Sequence, residues 1–142
     1  MGECTVWLAR QVRLAGGRRI VGSFNHGSVG SGLPTALGAI ALDPSRQVWA
    51  FCGDGEFGMA MQDSVTAVRY GWPLKVVVFN NSEWGFVKME MEVAGLPLYA
   101  AATDLVNPDF AQFAKACGGD GARVEHADAI VPAVERAIAS PK

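Results

Sequence analysis

The sequence predicts an α/β fold, a doubly wound and mostly parallel sheet with helices on both faces. Three observations carry that prediction. Short apolar runs alternate along the chain with stretches of helical period. The run Leu74-Lys75-Val76-Val77-Val78-Phe79 is nearly continuous in apolar residues, as a strand covered on both faces has to be. Glycine-bearing polar segments follow the strand candidates, at the carboxyl ends where ligands bind such sheets. Strand, helix, strand, helix in this order implies crossover connections and a parallel sheet.

The elements follow in order. The chain enters a helical segment directly after Gly2-Glu3, and Ile20-Val21 is the first strand candidate. Pro34 sits where a first helical turn tolerates it, ahead of the small-residue segment 35–42. Val48-Trp49-Ala50-Phe51-Cys52 is the second strand candidate and residues 74–79 are the third. Between them Phe57, Met61, Val65 and Val68 fall on one face of a single helix that Gly71 and Pro73 end. Asn107-Pro108 opens a helix carrying Phe110, Phe113 and Cys117, with Gly118 just past its end. Residues 122–125 form the fourth strand candidate. A last helix from about Asp128 is expected to bury Ile130, Val134 and Ile138, with Pro132 near its first turn. An alternating α/β pattern would supply a strand before the first helix and after the last. Residues 1–142 are therefore expected to be one domain cut from a larger protein.

Composition excludes several classes. A length of 142 residues favours one domain, and 50% hydrophobic with 18% charged residues suits a compact core. Lys+Arg 12 against Asp+Glu 14 gives a net charge of -2, which argues against a nucleic-acid binder relying on bulk positive charge. The longest largely apolar stretch, residues 33–42, is about half of a membrane-spanning helix. No signal peptide is visible. Three cysteines, Cys4, Cys52 and Cys117, have neither CxxC nor Cys/His spacing and read as reduced thiols of a cytoplasmic protein.

The chemistry lies at two strand ends. The second strand runs into Gly53-Asp54-Gly55, where glycines let the backbone turn sharply and leave one carboxylate at the mouth of the sheet. The third ends in Asn80-Asn81, and 24 residues separate Gly55 from Asn80. One helix and one strand fill that interval, so Asp54 and Asn81 are expected side by side. A carboxylate oxygen, an amide oxygen and a nearby main-chain carbonyl make an all-oxygen site suited to Mg²⁺. A helix beginning near Glu56-Phe57 would point free amides at the same spot. Gly-Asp-Gly is by itself also an ordinary turn, and Asn-Asn an ordinary loop; the joint pattern is the more specific signal.

Gly53-Asp54-Gly55 followed by Asn80-Asn81 resembles the diphosphate-binding motif of thiamine-diphosphate enzymes. Ser23-Phe24-Asn25-His26-Gly27-Ser28, Leu33-Pro34-Thr35-Ala36-Leu37-Gly38-Ala39, Val78-Phe79-Asn80-Asn81-Ser82 and Gly85-Phe86-Val87-Lys88-Met89-Glu90-Met91 are similar to the pyruvate dehydrogenase (quinone) and pyruvate oxidase branch. The resemblance covers the carboxyl-terminal cofactor domain of that family and implies a pyrimidine-binding and an FAD-binding domain outside this chain. It implies that Asp54, Asn81 and the main-chain carbonyl of Glu83 hold Mg²⁺. Gly55, Glu56 and the loop Ser82, Glu83, Trp84, Gly85, Phe86 and Val87 would meet the diphosphate, and Gly27, Ser28 and Val29 the thiazolium and aminopyrimidine end. Two positions depart from the family pattern: Val29 stands where a bulkier residue is usual, and Glu56 where a small one is common.

Phe86 and Glu90, four residues apart, share one helical face; the resemblance puts Phe86 between the thiamine and the flavin, in substrate and electron-transfer contact, and Glu90 at the substrate pocket. The plain alternative is a core phenylalanine and a solvated glutamate. His26 reads equally as a pocket acid/base or a loop residue, and Met59, Met61, Met89 and Met91 as packing residues. The implied activity is oxidative decarboxylation of pyruvate to acetate and CO₂, with thiamine diphosphate, Mg²⁺ and FAD passing electrons to a quinone. The implied assembly is a homo-oligomer, a dimer of dimers. It would be cytoplasmic, or peripheral to the inner face of the membrane through a tail outside this chain. The isolated domain is expected to be inactive. Phosphate-dependent pyruvate oxidases, acetolactate synthases and other 2-keto-acid decarboxylases share the metal motif. A non-catalytic doubly wound binding module is the alternative of another class.

Overall fold

The computed structural model describes residues 2–142. Its centre is a parallel pair of strands, β1 (Trp49–Gly53) and β2 (Lys75–Phe79), in register from Trp49 opposite Lys75 to Gly53 opposite Phe79. Because the strands run the same way and end together, Asp54 and Asn80-Asn81 leave the sheet at one edge. Helix α1 (Glu3–Gln11) precedes α2 (Gly32–Leu42), and α3 (Asp54–Ala60) and α4 (Ser64–Tyr70) cross over from β1 to β2. Beyond β2 come α5 (Gly85–Val93), α6 (Ala100–Thr103), α7 (Phe110–Ala116) and α8 (Ile130–Ala139).

The core is built on α2. Leu33, Ala36, Leu37 and Ile40, at helical spacing, press on Ala50 and Cys52 of β1, with Phe57, Ala67 and Leu74 completing the cluster. Leu33 and Ile40 are fully buried, so truncating either to alanine is expected to cost about 2–5 kcal/mol. Phe57 meets Phe110 edge to face at 5.3 Å and Phe113 at 6.4 Å, which docks α7 on α3.

Four expectations need correction. Ile20-Val21 lies outside the sheet, and Val21 is 71% exposed. Gly16 and Gly17, at φ 63 and 78, turn the chain ahead of it, and among the described residues no neighbouring strand offers it a ladder. Residues 122–125 are not in a strand either. Arg123 pairs with Glu125, two residues on, at 2.8 Å, so the charged side chains engage each other while the backbone has no strand partner among the described residues. The expected single helix of residues 57–68 is two helices separated by a 3₁₀ turn, Met61–Asp63, because Ala60 leaves the helical region at φ -134, ψ 9. The break rotates the buried face, so Ala67 enters the core while Val65 and Val68 are exposed. Finally, Ile130, Val134 and Ile138 of α8 are exposed, since no described element covers that stripe.

Met59 and Met89, expected to pack, are also exposed, although Met59 still covers Gly30. The run of residues 74–79, expected to be covered on both faces, is not: Val76 and Phe79 of β2 are exposed, and the buried residue of the strand is Lys75, whose Nζ donates to the carbonyls of Ser140 at 2.6 Å and Lys142 at 2.7 Å. Burial pushes its pKa down, and the two carbonyls replace the lost water. No helix among the described residues is long and apolar enough to cross a membrane.

Candidate functional site

The turn out of β1 is abrupt. Gly53 is still extended at ψ 161, and Asp54 is already the first residue of α3. The helix thus starts two residues earlier than the sequence suggested, with Gly55 and Glu56 in its first turn. Asp54 is 3% exposed. A carboxylate so buried needs its lost hydration replaced. Its Oδ2 accepts from the Ser82 amide at 2.8 Å and from Asn107 Nδ2 at 2.6 Å. The other oxygen, Oδ1, faces Asn81.

The Asn81 amide stands between Asp54 Oδ1 and the main-chain oxygen of Glu83. With its nitrogen turned inward it donates to them at 3.3 and 3.0 Å. In the opposite orientation its Oδ1 faces the same two oxygens. Three oxygens then converge, with Asn81 Oδ1 accepting from the Glu83 amide at 3.3 Å, an arrangement that a cation among them would stabilise. Among the described residues no group of three His, Cys, Asp or Glu side chains could hold a metal, so the donor set here is a mixed one. One carboxylate, one amide and one carbonyl, all oxygen, fit a hard divalent cation that keeps positions for phosphate and water.

The loop that brings Glu83 round is held from behind. Ser82 sits in the left-handed region at φ 58, costly for a residue with a side chain and kept by its surroundings. The Leu105 amide donates to Ser82 O at 2.8 Å and the Trp84 amide to Thr103 O at 2.7 Å, with Glu83 bridged to Asp104. The Glu83 side chain turns instead to Lys88 on α5, at 2.6 Å, and that pairing holds the Lys88 pKa up. Gly55 is required by close packing, since a Cβ there would lie 2.7 Å from the Trp84 ring.

Asp54, Gly55, Asn81, Ser82, Glu83, Trp84 and Gly85 thus come together in the structure. Gly27, Ser28 and Val29 lie on a separate loop, tied to α3 through the packing of Gly30 on Met59. Val29 is 42% exposed. Phe86, Val87 and Glu90 are exposed on α5, and the Glu90 carboxylate makes no hydrogen bond or ion pair within the described residues. The Glu56 side chain is engaged at the start of α2, where Oε1 accepts from the Gly32 amide at 3.1 Å. His26 is an exposed loop residue. Burial, with the Glu56 carboxylate adding to it, pushes the Cys52 thiol up to about 12.

Sequence reasoning missed Asn107. It stands before Pro108 and reads as a helix start, yet the cap of α7 is Asp109, whose Oδ1 accepts from the Gln112 amide at 2.9 Å. Two capping residues for one helix start was the signal that the first had another task. Its amide reaches both Asp54 and, at 3.0 Å, Asn80 Oδ1.

Comparison with known proteins bears on this geometry. The family model described as "Thiamine pyrophosphate enzyme, C-terminal TPP binding domain" matches residues 1–142. The chain is 40% identical over 140 residues to YdaP of Bacillus subtilis, covering 99% of this chain and 24% of that protein. It is 36% identical over 121 residues to sulfoacetaldehyde acetyltransferase of Alcaligenes xylosoxydans xylosoxydans, covering 85% of this chain and 20% of that one. To the acetolactate synthase large subunit of Parasynechococcus marenigrum it is 34% identical over 143 residues, covering 99% and 23%. A solved structure, the thiamine diphosphate-dependent 4-hydroxybenzoylformate decarboxylase of Rhodococcus jostii RHA1, superposes with a TM-score of 0.75 at 28% identity, over 81% of this chain and 22% of that one. The chain spans about a quarter or less of the length of these proteins. With a two-stranded parallel core matching that decarboxylase and a family model matched from end to end, the chain belongs to the thiamine pyrophosphate enzymes, as their C-terminal, cofactor-binding domain.

Proposed function

We propose that this chain anchors thiamine diphosphate through a divalent cation, within a larger enzyme that decarboxylates a 2-keto acid. The observation that carries the reading is the convergence of Asp54 Oδ1, the Asn81 amide and Glu83 O on one point. Mg²⁺ there would leave positions for phosphate oxygens and water. The Ser82 amide and Asn107 hold Asp54 by Oδ2, which keeps Oδ1 directed at the cation. Amides of Gly55, Glu56 and the 82–87 loop would meet the diphosphate, and Gly27, Ser28 and Val29 the ring end. Phe86 and Glu90, exposed on α5, would face the substrate. When bound, the cofactor supplies the electron sink that a decarboxylation needs. What the chain supplies is a fixed anchor whose groups are in place before the ligand arrives.

For the whole protein we propose pyruvate as substrate and a flavin and a quinone as successive electron acceptors, in a homo-oligomer whose pyrimidine-binding and FAD-binding domains lie outside this chain. The support is the likeness of the 23–28 and 85–91 segments to the quinone-linked branch. A second reading is carbon–carbon bond formation, favoured by the relatives named as acetolactate synthase and sulfoacetaldehyde acetyltransferase.

Titrating thiamine diphosphate with and without Mg²⁺ tests the anchor: binding is expected only with the metal and is expected to vanish in Asp54→Ala. Metal-independent binding that survives Asp54→Ala would sink it. Following CO₂ release from pyruvate together with reduction of a quinone analogue, in the intact protein supplied with FAD, separates the two whole-protein readings. CO₂ without quinone reduction, and acetolactate among the products, would select the second.

A further inference from the structure

We propose that Glu56 is a positioning residue, one whose carboxylate sets the spacing between the Asp54 cluster and the loop that carries Gly27, Ser28 and Val29. The inference rests on the reading that these two groups of residues take the diphosphate end and the ring end of one ligand. Glu56 lies two residues after Asp54 on α3 and is 7% exposed. Its Oε1 accepts from the Gly32 amide, the first of α2, at 3.1 Å across 24 residues of sequence. Gly32 is drawn in so closely that an added Cβ would lie 2.9 Å from Glu56 Oε1 and 2.9 Å from Cys52 Sγ.

The chain ahead of Gly32 is tied to it in turn. The Ser31 hydroxyl donates to Ser28 O at 2.8 Å, and the Ser23 hydroxyl donates to Ser28 Oγ at 3.0 Å. Gly30, at φ 83, packs on Met59, one turn along α3 from Glu56. A shift of Gly32 therefore carries Ser28 with it. A carboxylate two residues from Asp54 would repel a diphosphate if it faced the ligand. Turned to the α2 amide it serves the ligand instead, by fixing how far apart its two ends are received. A ligand spanning both ends depends on that distance, because otherwise it pays for ordering the loop on binding. A ligand reaching only the Asp54 end does not.

The test compares Mg²⁺-dependent binding of thiamine diphosphate and of inorganic pyrophosphate by calorimetry on the intact protein. Glu56→Ala is expected to weaken thiamine diphosphate roughly tenfold while pyrophosphate stays within about twofold. Glu56→Gln, whose side-chain oxygen accepts the same N–H, is expected to bind both ligands within about threefold of the parent protein. Should Glu56→Ala fail to fold, Glu56→Asp decides, because one methylene less draws the acceptor away from Gly32 and the same selective loss is expected. Equal losses for the two ligands, or no loss for thiamine diphosphate, overturn the positioning role alone. A parent protein that binds neither ligand with Mg²⁺ overturns the anchor reading, and the positioning role with it.

Discussion

Asn107 Nδ2 donates to Asp54 Oδ2 at 2.6 Å, joining the segment before α7 to the first residue of α3 across 53 positions of sequence. The same nitrogen reaches Asn80 Oδ1 at 3.0 Å, and Asn80 Oδ1 also receives the Ser82 amide at 3.1 Å. One uncharged side chain thus fixes a buried carboxylate and the loop opposite it, without competing for the Asp54 oxygen that faces Asn81.

Asn107→Ala is accordingly expected to cost both affinity and stability. Groups that orient a metal ligand are worth about 10–100-fold in metal affinity, so Mg²⁺-dependent thiamine diphosphate binding is expected to fall within that range. The fold loses a hydrogen bond to the Asp54 carboxylate and a neutral one to Asn80, together about 2–4 kcal/mol in a urea unfolding curve. Unchanged cofactor affinity in a variant destabilised by that amount would show Asn107 to be structural only.

Gly55→Ala addresses the packing under the loop. The new methyl would lie 2.7 Å from Cη2 and Cζ3 of Trp84, so the indole has to move, and with it the loop carrying Asn81 and Glu83. A loss of about 1–3 kcal/mol is expected, with a change in tryptophan emission. Adding Trp84→Phe removes the clashing ring atoms and is expected to recover most of the loss. No recovery in the double variant would place the strain elsewhere.

Cys52 gives stability an alkaline limit. Its thiol is fully buried, and desolvation, followed by the Glu56 carboxylate, raises its pKa from 9.0 to about 12. Between those values the unfolded chain has released the proton and the folded one has kept it, so stability falls as pH rises through that window. The slope is at most about 1.4 kcal/mol per pH unit. Below pH 9 the contribution is constant. Urea midpoints of the parent protein and Cys52→Ala, compared from pH 8 to 11, are expected to converge as pH rises; parallel curves would refute it. For the same reason Cys52 is expected to resist alkylation in the native protein.

The sheet and the site were legible to different degrees. Strands β1 and β2 could be read because each is a short, nearly continuous apolar run, and their shared end at Gly53 and Phe79 put Asp54 beside Asn81 as the spacing required; which side chains of β2 are buried could not be read, since Val76 and Phe79 are exposed and Lys75 is not. Residues 20–21 and 122–125 carry the composition of strands but not the neighbour, and pairing is a property of two segments that neither one displays alone. The stripe on α8 is amphipathic in sequence and uncovered in the structure for the same reason. Within the site, Asp54 and Asn81, the proposed side-chain ligands, could be found by spacing. Asn107 could not, because its partners lie 53 and 27 positions away and its local context already explained it. Glu56 stood out only as a departure until its contact with Gly32 was known.

Glu83 divides its labour between main chain and side chain. Its carbonyl faces the Asn81 amide, held by a backbone bridge to Asp104, while its carboxylate lies against Lys88 on α5. The oxygen proposed to meet the cation is therefore one that every amino acid possesses. Replacing the side chain would loosen α5 and leave that oxygen in place, so a survey of substitutions would score position 83 as permissive. The contribution of this residue to the site is invisible to genetics, and only a change that alters the path of the backbone, at Ser82 or in the strap of residues 103–105, would reveal it.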